Sequence, residues 1–187
     1  MRKIKVKNYS DVYIGEYPFH KQLKDELVPL LENHPDKMGR NTNVKATMTE
    51  WRWQQDNPRI KRLKECALAE LRFHPYLLEI QGNNPERSNL FFKEFWANVY
   101  NKGDHTNPHS HIVHQSGFGF VYFLKAKWYH PSFIFTHSGK KIRPKEGTYV
   151  LFPHHLYHHV PKNQFKETRI TLSGNINVIK PSIVKES

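Results

Sequence analysis

Apolar residues change their spacing along the chain near residue 88. Before that point, two segments repeat an apolar residue every three or four positions, which is the period of an amphipathic helix. After it, short apolar runs are separated by glycine, proline and asparagine, which is typical of β-strands joined by turns. The pattern therefore predicts helices in the first half and a β-rich second half with no long helix after residue 80.

The first helical segment extends from Pro18 to Leu31 and has apolar residues at positions 19, 23, 27, 30 and 31. Proline lacks a backbone N–H, and its ring clashes with the preceding turn of a helix. Pro29 is therefore expected to kink or shorten this helix.

The second helical segment has clearer ends. Asn57 is a good N-cap residue, and Pro58 suits the first helical position, where an N–H would have no partner. Pro75 marks the end of the pattern. The apolar stripe between these signals consists of Ile60, Leu63, Ala67 and Leu71. Both helices are expected to be packing elements.

Two tryptophans, Trp51 and Trp53, lie two positions apart in the segment between the helices. A short strand with both indoles on one face is the favoured interpretation, because residues two apart in a strand point the same way. A loop that contacts substrate is the alternative.

Five runs after residue 88 have the length and composition of strands: LFFKEFWANVY, GFGFVYFLKAK, PSFIFTH, TYVLFP and TRITLSGNINVI. They predict a mainly β (α+β) chain built as a sandwich or jelly roll, in which closure or double layering protects the strand edges. Because 187 residues can bury one substantial core, we expect a single domain. Residues 1–88 are expected to support a barrel formed by residues 89–180.

Cysteine content and hydropathy indicate the cellular compartment in which the protein is expected. Cys66 is the only cysteine, which excludes an intramolecular disulfide and a thiolate-rich zinc site. No apolar run has the length of a membrane span, and residues 1–13 lack the apolar core of a signal peptide. We therefore expect a soluble, cytoplasmic protein that does not bind membranes.

The net charge of +12 comes from 29 lysines and arginines against 17 aspartates and glutamates. Such a charge attracts polyanions or concentrates an anionic co-substrate near the surface. The basic residues are dispersed over positions 2–7, 59–64, 140–145 and 162–166, which favours solvated faces over a nucleic-acid footprint. Nucleic acid is therefore the disfavoured partner.

Two histidine clusters carry the clearest chemical signal. They are PHSHIVH, with His109, His111 and His114, and FPHHLYHHV, with His154, His155, His158 and His159. Neutral imidazole is the commonest protein ligand for a redox-active or Lewis-acidic metal. In a strand, His109 and His111 face the same side and can converge with an imidazole from a partner strand. A metal site is therefore the first hypothesis.

Three stretches, in this order and at these spacings, resemble a known family: WANVYNKGDHTNPHSHIVHQSGFGFVYFL, GTYVLFPHHLYHHV and RITLSGNI. Residues 92–176 are similar to the iron(II)- and 2-oxoglutarate-dependent oxygenases, and within them to small prolyl-hydroxylase-like proteins of phages and bacteria. The resemblance implies a double-stranded β-helix, a cupin-like jelly roll. It also implies Fe(II) and 2-oxoglutarate as cofactors, with O2 as the second co-substrate.

The family pattern transfers to individual residues. His109 and His111 fall on its HxD or HxH pair and His158 falls on its distal histidine, which implies that these three are metal ligands. Arg169 falls on the basic residue that holds the co-substrate. A guanidinium matches the distal carboxylate of 2-oxoglutarate with two parallel hydrogen bonds, and Thr171 faces the same side of the strand.

Four further residues are candidate co-substrate contacts: Asn98, Tyr100, Ser116 and Tyr122. Asn98 and Tyr100 lie two apart on the strand that leads to the histidine pair, so both can face the same side. The alternative for all four is simple packing.

The middle metal ligand departs from the family pattern. Most of these oxygenases bind iron with two histidines and one carboxylate, whereas His111 makes the set all nitrogen and leaves the iron one unit more positive. This favours a dianionic co-substrate and makes electron donation to oxygen harder. Asp104 is an alternative ligand, disfavoured by the turn that separates it from the pair. His159 replaces His158 if the strand register slips by one residue.

Together with the resemblance, these residues predict a dioxygenase that hydroxylates an unidentified substrate and releases succinate and CO2. A prolyl or other peptide side chain is one substrate option, and the host cytoplasm is the location if the protein is phage-encoded. Two alternatives stay open. One is a non-catalytic metal-binding β-barrel with a basic surface for nucleic acid or a viral partner. The other is a three-histidine cupin-type enzyme that does not use 2-oxoglutarate.

Overall fold

The structure is a computed structural model that describes residues 2–6, 10–80, 89–111 and 117–179. Two antiparallel sheets make up most of it, and its helices all precede the fifth strand. The described strands are β1 (Arg2–Val6), β2 (Ser10–Glu16), β3 (Val44–Lys45), β4 (Thr47–Met48), β5 (Asn89–Tyr100), β6 (His105–His109), β7 (Gly117–Lys125), β8 (Phe133–Phe135), β9 (Lys140–Ile142), β10 (Thr148–Pro153), β11 (His158–Val160) and β12 (Arg169–Ile179). The described helices are α1 (His20–Glu32), α2 (Pro58–Leu71) and α3 (Pro75–Ile80).

The strand orders of the two sheets are β1-β2-β10-β7-β12-β5-β4 and β3-β6-β11-β8-β9. Named strands pair antiparallel throughout, and many neighbours come from distant parts of the chain. Two such sheets with a shared apolar interior form a jelly roll. The prediction of a mainly β, double-stranded β-helix with N-terminal packing helices is therefore confirmed.

The central strands of the seven-stranded sheet are covered on both faces. Along β5, Phe95, Ala97 and Val99 pack in a cluster with the helices, whereas Trp96 and Tyr100 belong to the interior between the two sheets. Because both faces are covered, the sequences of these strands are nearly continuous hydrophobic runs and do not alternate between apolar and polar residues. The chain thus has two interiors, one under the helices and one between the sheets.

Helix α2 has the start and the stripe that the sequence predicts. The side chain of Asn57 accepts hydrogen bonds from the backbone N–H groups of Arg59 (2.9 Å) and Ile60 (3.2 Å). All four residues of the predicted stripe are buried.

In the part of the chain that the structure describes, no helix is long and apolar enough to cross a bilayer.

Helix α1 differs from its prediction at two positions. It continues past Pro29 to Glu32, so the expected shortening does not occur. The buried side chains of Leu27 and Leu31 flank the proline, and their packing outweighs the loss of one backbone hydrogen bond. Leu30 is 50% exposed, so the apolar stripe is narrower than the pattern suggested.

The tryptophan pair lies in a turn, so the predicted strand is wrong. Residues 51–56 form turns, which an isolated bridge between Arg52 and Phe95 links to β5. The two indoles do not share a face. Trp53 is buried, whereas Trp51 is 36% exposed and packs edge-on against Trp96. The reason is that a turn does not keep the two-residue alternation of a strand.

The segment before residue 88 contributes strands to both sheets. Strands β1, β2 and β4 belong to the seven-stranded sheet, and β3 belongs to the five-stranded sheet. Only Ala46, which is fully buried, separates β3 from β4. The chain therefore crosses from one sheet to the other within a few residues and joins them along one side.

Leu27→Ala should lower the free energy of unfolding by about 2–5 kcal/mol, because it removes a fully buried side chain and leaves a cavity. Leu30→Ala, on the same helix, should change it by less than about 0.5 kcal/mol, because Leu30 is half exposed. Urea unfolding measures both values. Equal losses in the two variants would mean that α1 packs through a different face.

Candidate metal centre

Strands β6 and β11 bring the three predicted metal ligands together. His109 ends β6 and is the register partner of His158, which begins β11. His111 follows β6, and its backbone N–H donates to the carbonyl of His154 (2.8 Å). The three imidazoles line one pocket between the sheets. Two of the candidate ligands thus come from one extended segment and the third from its partner strand, which is the arrangement expected from the sequence.

The three imidazole rings converge on one point. One nitrogen from each ring lies within 4.8 Å of the other two. The Nε2 atoms of His109 and His111 are 3.3 Å apart, close to the ~3 Å between two nitrogens at right angles around a metal ~2.1 Å away. Within the described ranges, these histidines are the group of potential ligand side chains that lies close enough to hold a metal ion.

Backbone carbonyls fix the protonation of two of these rings. The Nδ1 of His109 donates to the carbonyl of Asn107, and the Nδ1 of His158 donates to that of Leu156, both at 2.9 Å. Each Nε2 therefore keeps its lone pair for a ligand. Burial lowers the pKa of His109, and burial, with a further contribution from the neighbouring histidines, lowers the pKa of His158 well below its usual value. Neutral imidazole is the form that binds metals.

Aromatic side chains hold His158 in position. Phe133 stacks on its ring with the centroids 5.0 Å apart, and Phe152 contacts it edge-on at 4.8 Å. Phe152 in turn lies against Gly119, where an added Cβ would come within 2.3 Å of the phenyl ring. Glycine at position 119 is therefore needed for the packing that orients this histidine.

The alternative ligands are engaged elsewhere. His159 is next to His158 on β11, but its Nδ1 lies 2.9 Å from Oγ1 of Thr136 and its ring is outside the convergent group. Asp104 forms an ion pair with Arg40 at 2.8 Å. The geometry therefore favours His158 over His159, and it does not bring Asp104 to the three rings.

Arg169 lies in the same pocket and is only 1% exposed. Its guanidinium carbon is 4.8 Å from the ring centroid of Tyr100 and 5.4 Å from that of Phe123. Among the described residues, none of its three guanidinium nitrogens has a hydrogen-bond partner. Burial lowers the pKa of Arg169 and Tyr100 opposes the shift, but a guanidinium stays charged at neutral pH. The pocket thus contains a buried cation without an anionic partner.

Asn98 and Thr171 also line the pocket, as predicted. The Nδ2 of Asn98 donates to Oγ of Ser173 (2.9 Å), and its Oδ1 accepts from the indole N–H of Trp96 (3.0 Å). Ser173 and Trp96 line the pocket but were missed from the sequence. Ser173 lies two positions from Thr171 on β12, and Trp96 lies two positions from Asn98 on β5. Because residues two apart in a strand point to the same side, this spacing could have identified both.

The phenol of Tyr100 occupies the same pocket wall as Arg169. Its hydroxyl shares a hydrogen bond with Oγ1 of Thr106 (2.8 Å), and its ring lies under the guanidinium. Tyr100 is therefore placed both to support the cation and to border any group that binds it.

Tyr122 is not in the pocket, and the predicted co-substrate contact does not hold for it. It faces the helices, where its hydroxyl lies 2.7 Å from Nδ1 of His20 and its ring contacts Tyr17. The physical reason is that side chains alternate along β7. Val121 and Phe123 point into the interior between the sheets, and Tyr122 points to the side covered by the helices. Ser116, the remaining candidate, lies outside the described residues.

The free space between the pocket side chains is small, about 30 Å³. This is room for about two water molecules. A larger organic molecule would fit between Arg169 and the histidines only after neighbouring side chains move.

Comparison with solved structures identifies the architecture. The viral collagen prolyl hydroxylase of Paramecium Bursaria Chlorella virus-1, solved as a 2-oxoglutarate complex, matches with a TM-score of 0.62 and 13% identity over 90% of this chain and 96% of its own. A prolyl-4-hydroxylase from Pseudomonas putida matches with a TM-score of 0.62 and 16% identity over 89% and 91%. HygX from Streptomyces hygroscopicus, with nickel and 2-oxoglutarate bound, matches with 0.62 and 9% identity over 92% and 83%. The chain shares the fold of these proteins.

The fold of these proteins agrees with the resemblance found in the sequence. The structural match covers nearly the whole chain, whereas the sequence resemblance covers residues 92–176. No protein-family model and no curated protein sequence matches the chain. At 9–16% identity the likeness establishes the fold alone.

His158→Ala should weaken Ni(II) binding by about two orders of magnitude or more, because it removes one of three convergent nitrogens. His159→Ala should leave the affinity largely unchanged, because that ring is hydrogen-bonded outside the group. Isothermal titration calorimetry with Ni(II) compares the two. A loss in His159→Ala with none in His158→Ala would reassign the distal ligand.

Proposed function

We propose that the protein is an Fe(II)- and 2-oxoglutarate-dependent dioxygenase that hydroxylates a substrate and releases succinate and CO2. The observation that carries this proposal is the buried guanidinium of Arg169, which has no anionic partner among the described residues and lies in the pocket shared by His109, His111 and His158. Three neutral nitrogens beside a buried cation suit a small molecule with a metal-chelating end and a carboxylate end. 2-Oxoglutarate has both ends.

Each pocket residue has a role in this proposal. His109, His111 and His158 would hold iron through Nε2. Arg169 would bind the distal carboxylate of the co-substrate, with the Thr171 hydroxyl beside it. The surrounding phenylalanines would exclude water from the reacting groups, which strengthens every charge interaction in the pocket.

Iron with 2-oxoglutarate would, when bound, activate O2 and supply the oxidising equivalent for hydroxylation. The protein would contribute the ligand geometry and the charge around it. With His111 in place of a carboxylate, the site would be one unit more positive than in the common two-histidine set. This favours binding of the dianion and slows electron transfer to oxygen, so tight co-substrate binding with slow turnover is expected.

As the substrate class we propose a prolyl or other peptide side chain. The support is the shared fold with the collagen prolyl hydroxylase and the prolyl-4-hydroxylase, which is an analogy, since one fold hosts many activities. Partly exposed Trp51, packed on the pocket-lining Trp96, offers an apolar aromatic surface against which a proline ring can pack.

Anaerobic addition of Fe(II) and 2-oxoglutarate to the protein should produce a visible charge-transfer band, and oxygen should then convert 2-oxoglutarate to succinate. A proline-rich peptide in the same mixture should gain one oxygen atom by mass spectrometry. Absence of both the band and succinate would refute the oxygenase and leave a metal-binding barrel. Oxygen consumption without 2-oxoglutarate would instead indicate a three-histidine enzyme of the cupin type.

Arg169→Met should raise the stability of the ligand-free protein by about 1–4 kcal/mol, because it replaces an unpaired buried charge with an apolar side chain of similar size. The same substitution should abolish the stabilisation that 2-oxoglutarate confers in the presence of Ni(II). Thermal unfolding with and without the co-substrate measures both effects.

The matched control for this prediction is Arg72→Met, because Arg72 is exposed at the end of α2. This variant should keep the wild-type response to 2-oxoglutarate. If Arg169→Met kept that response too, Arg169 would not bind the co-substrate. If it strongly destabilised the ligand-free protein, the guanidinium would have a structural role instead.

A further inference from the structure

A second cavity, of about 960 Å³, lies on the side of the barrel formed by β1, β2, β9 and the residues that follow β9. We call it the basic groove. It shares no lining residue with the histidine pocket. An inference about its occupant therefore stands apart from the proposed oxygenase activity.

Cationic side chains dominate the walls of the basic groove. They are Arg2, Lys140, Lys141, Arg143 and Lys145. Two carboxylates, Glu16 and Glu70, also line the groove, so the cations outnumber the anions by five to two. Only Lys145 has an ion pair, with Glu16 at 2.5 Å, among the described residues. The other four cations have no carboxylate within salt-bridge distance in that part of the chain, so the groove attracts anions.

The floor of the basic groove is apolar. It includes Ile4, Ile14 and Ile142, which belong to the interior between the sheets. Ile4 and Ile14 are only half-buried, so the core of the barrel is partly open at this point. A ligand that fits here needs apolar groups facing the floor as well as negative charge facing the walls.

One wall of the groove is an open strand edge. Consecutive residues Lys140, Lys141 and Ile142 all line it, although alternate residues of a strand face opposite sides. This happens when the edge of the strand, instead of one face, borders the cavity. Strand β9 ends the five-stranded sheet, and no other described strand pairs with its outer side. In contrast, β1 and β2 contribute alternate residues and therefore present one face.

We infer that the basic groove binds an acidic peptide in extended conformation, which adds a strand to the edge of β9. Main-chain hydrogen bonds to the edge would supply affinity, alternate apolar side chains would pack on the isoleucine floor, and acidic side chains would meet the cations. A nucleic acid carries the charge but lacks backbone amides that can pair with a strand. The peptide is therefore the occupant that uses all three features of the groove.

A fluorescently labelled peptide of about seven residues with alternating glutamate and valine matches the length of a typical strand and serves as the probe. Fluorescence anisotropy should detect its binding to the full chain. The triple variant Lys140→Glu, Lys141→Glu, Arg143→Glu should bind it at least about tenfold more weakly. The matched control Arg72→Glu, Lys162→Glu, Lys166→Glu changes the same total charge at exposed positions elsewhere and should bind normally.

Two further probes separate strand pairing from charge alone. The same peptide N-methylated at every residue keeps its charge but loses the amide donors along both of its edges, and it should bind at least about tenfold more weakly. Equal binding of the methylated peptide, or equal loss in both triple variants, would overturn the inference. A single-stranded oligonucleotide of equal charge that binds more tightly than the peptide would also overturn it and indicate a polyanion surface. Urea unfolding of both variants confirms that each is folded.

Discussion

The central strands of the seven-stranded sheet direct their side chains alternately into two interiors, and this alternation governs both the fold and the site. Helices cover one face of the sheet, and the second sheet covers the other. Inward positions are mostly apolar, but β12 places Arg169, Thr171 and Ser173 there in succession. Polar groups in a core destabilise a protein unless a partner satisfies them. Their concentration on one strand, opposite three convergent histidines, therefore marks a binding wall within an otherwise ordinary core.

How far the sequence predicts this molecule depends on whether polarity distinguishes the two faces of each element. Helix α2 has one polar face and a clear N-cap, so its first residue and its apolar stripe could be predicted from residues 57–71. The histidine pair could be placed from its two-residue spacing, which puts His109 and His111 on one side of an extended segment. Tyr122 could not, since β7 is apolar on both faces and no local signal shows which residues point inward. The turn at Trp51 was missed because its contact with Trp96 is made over a long distance in sequence.

The pocket has a positive charge that the described residues around it do not neutralise. Among the described residues no carboxylate lines it, burial favours the neutral form of His109 and His158, and Arg169 remains a cation. A divalent metal would add positive charge to a site that already has an unpaired one, so metal and dicarboxylate are expected to bind with positive coupling. In the proposed site, His111 in the position of a carboxylate would strengthen this coupling, because three neutral ligands would not offset the charge of the metal. In the proposed enzyme, the co-substrate would therefore complete the charge balance as well as take part in the chemistry.

Strand β12 is the last described strand in chain order, yet it lies between β7 and β5 near the middle of the seven-stranded sheet. During synthesis, β5 and β7 must therefore wait for their common neighbour until residue 179 has left the ribosome. Their aromatic faces and unpaired edges stay accessible to other chains in that interval. Such late, non-local pairing slows folding. The position of one strand thus leaves the nascent chain open to aggregation until β12 has emerged and paired with both neighbours.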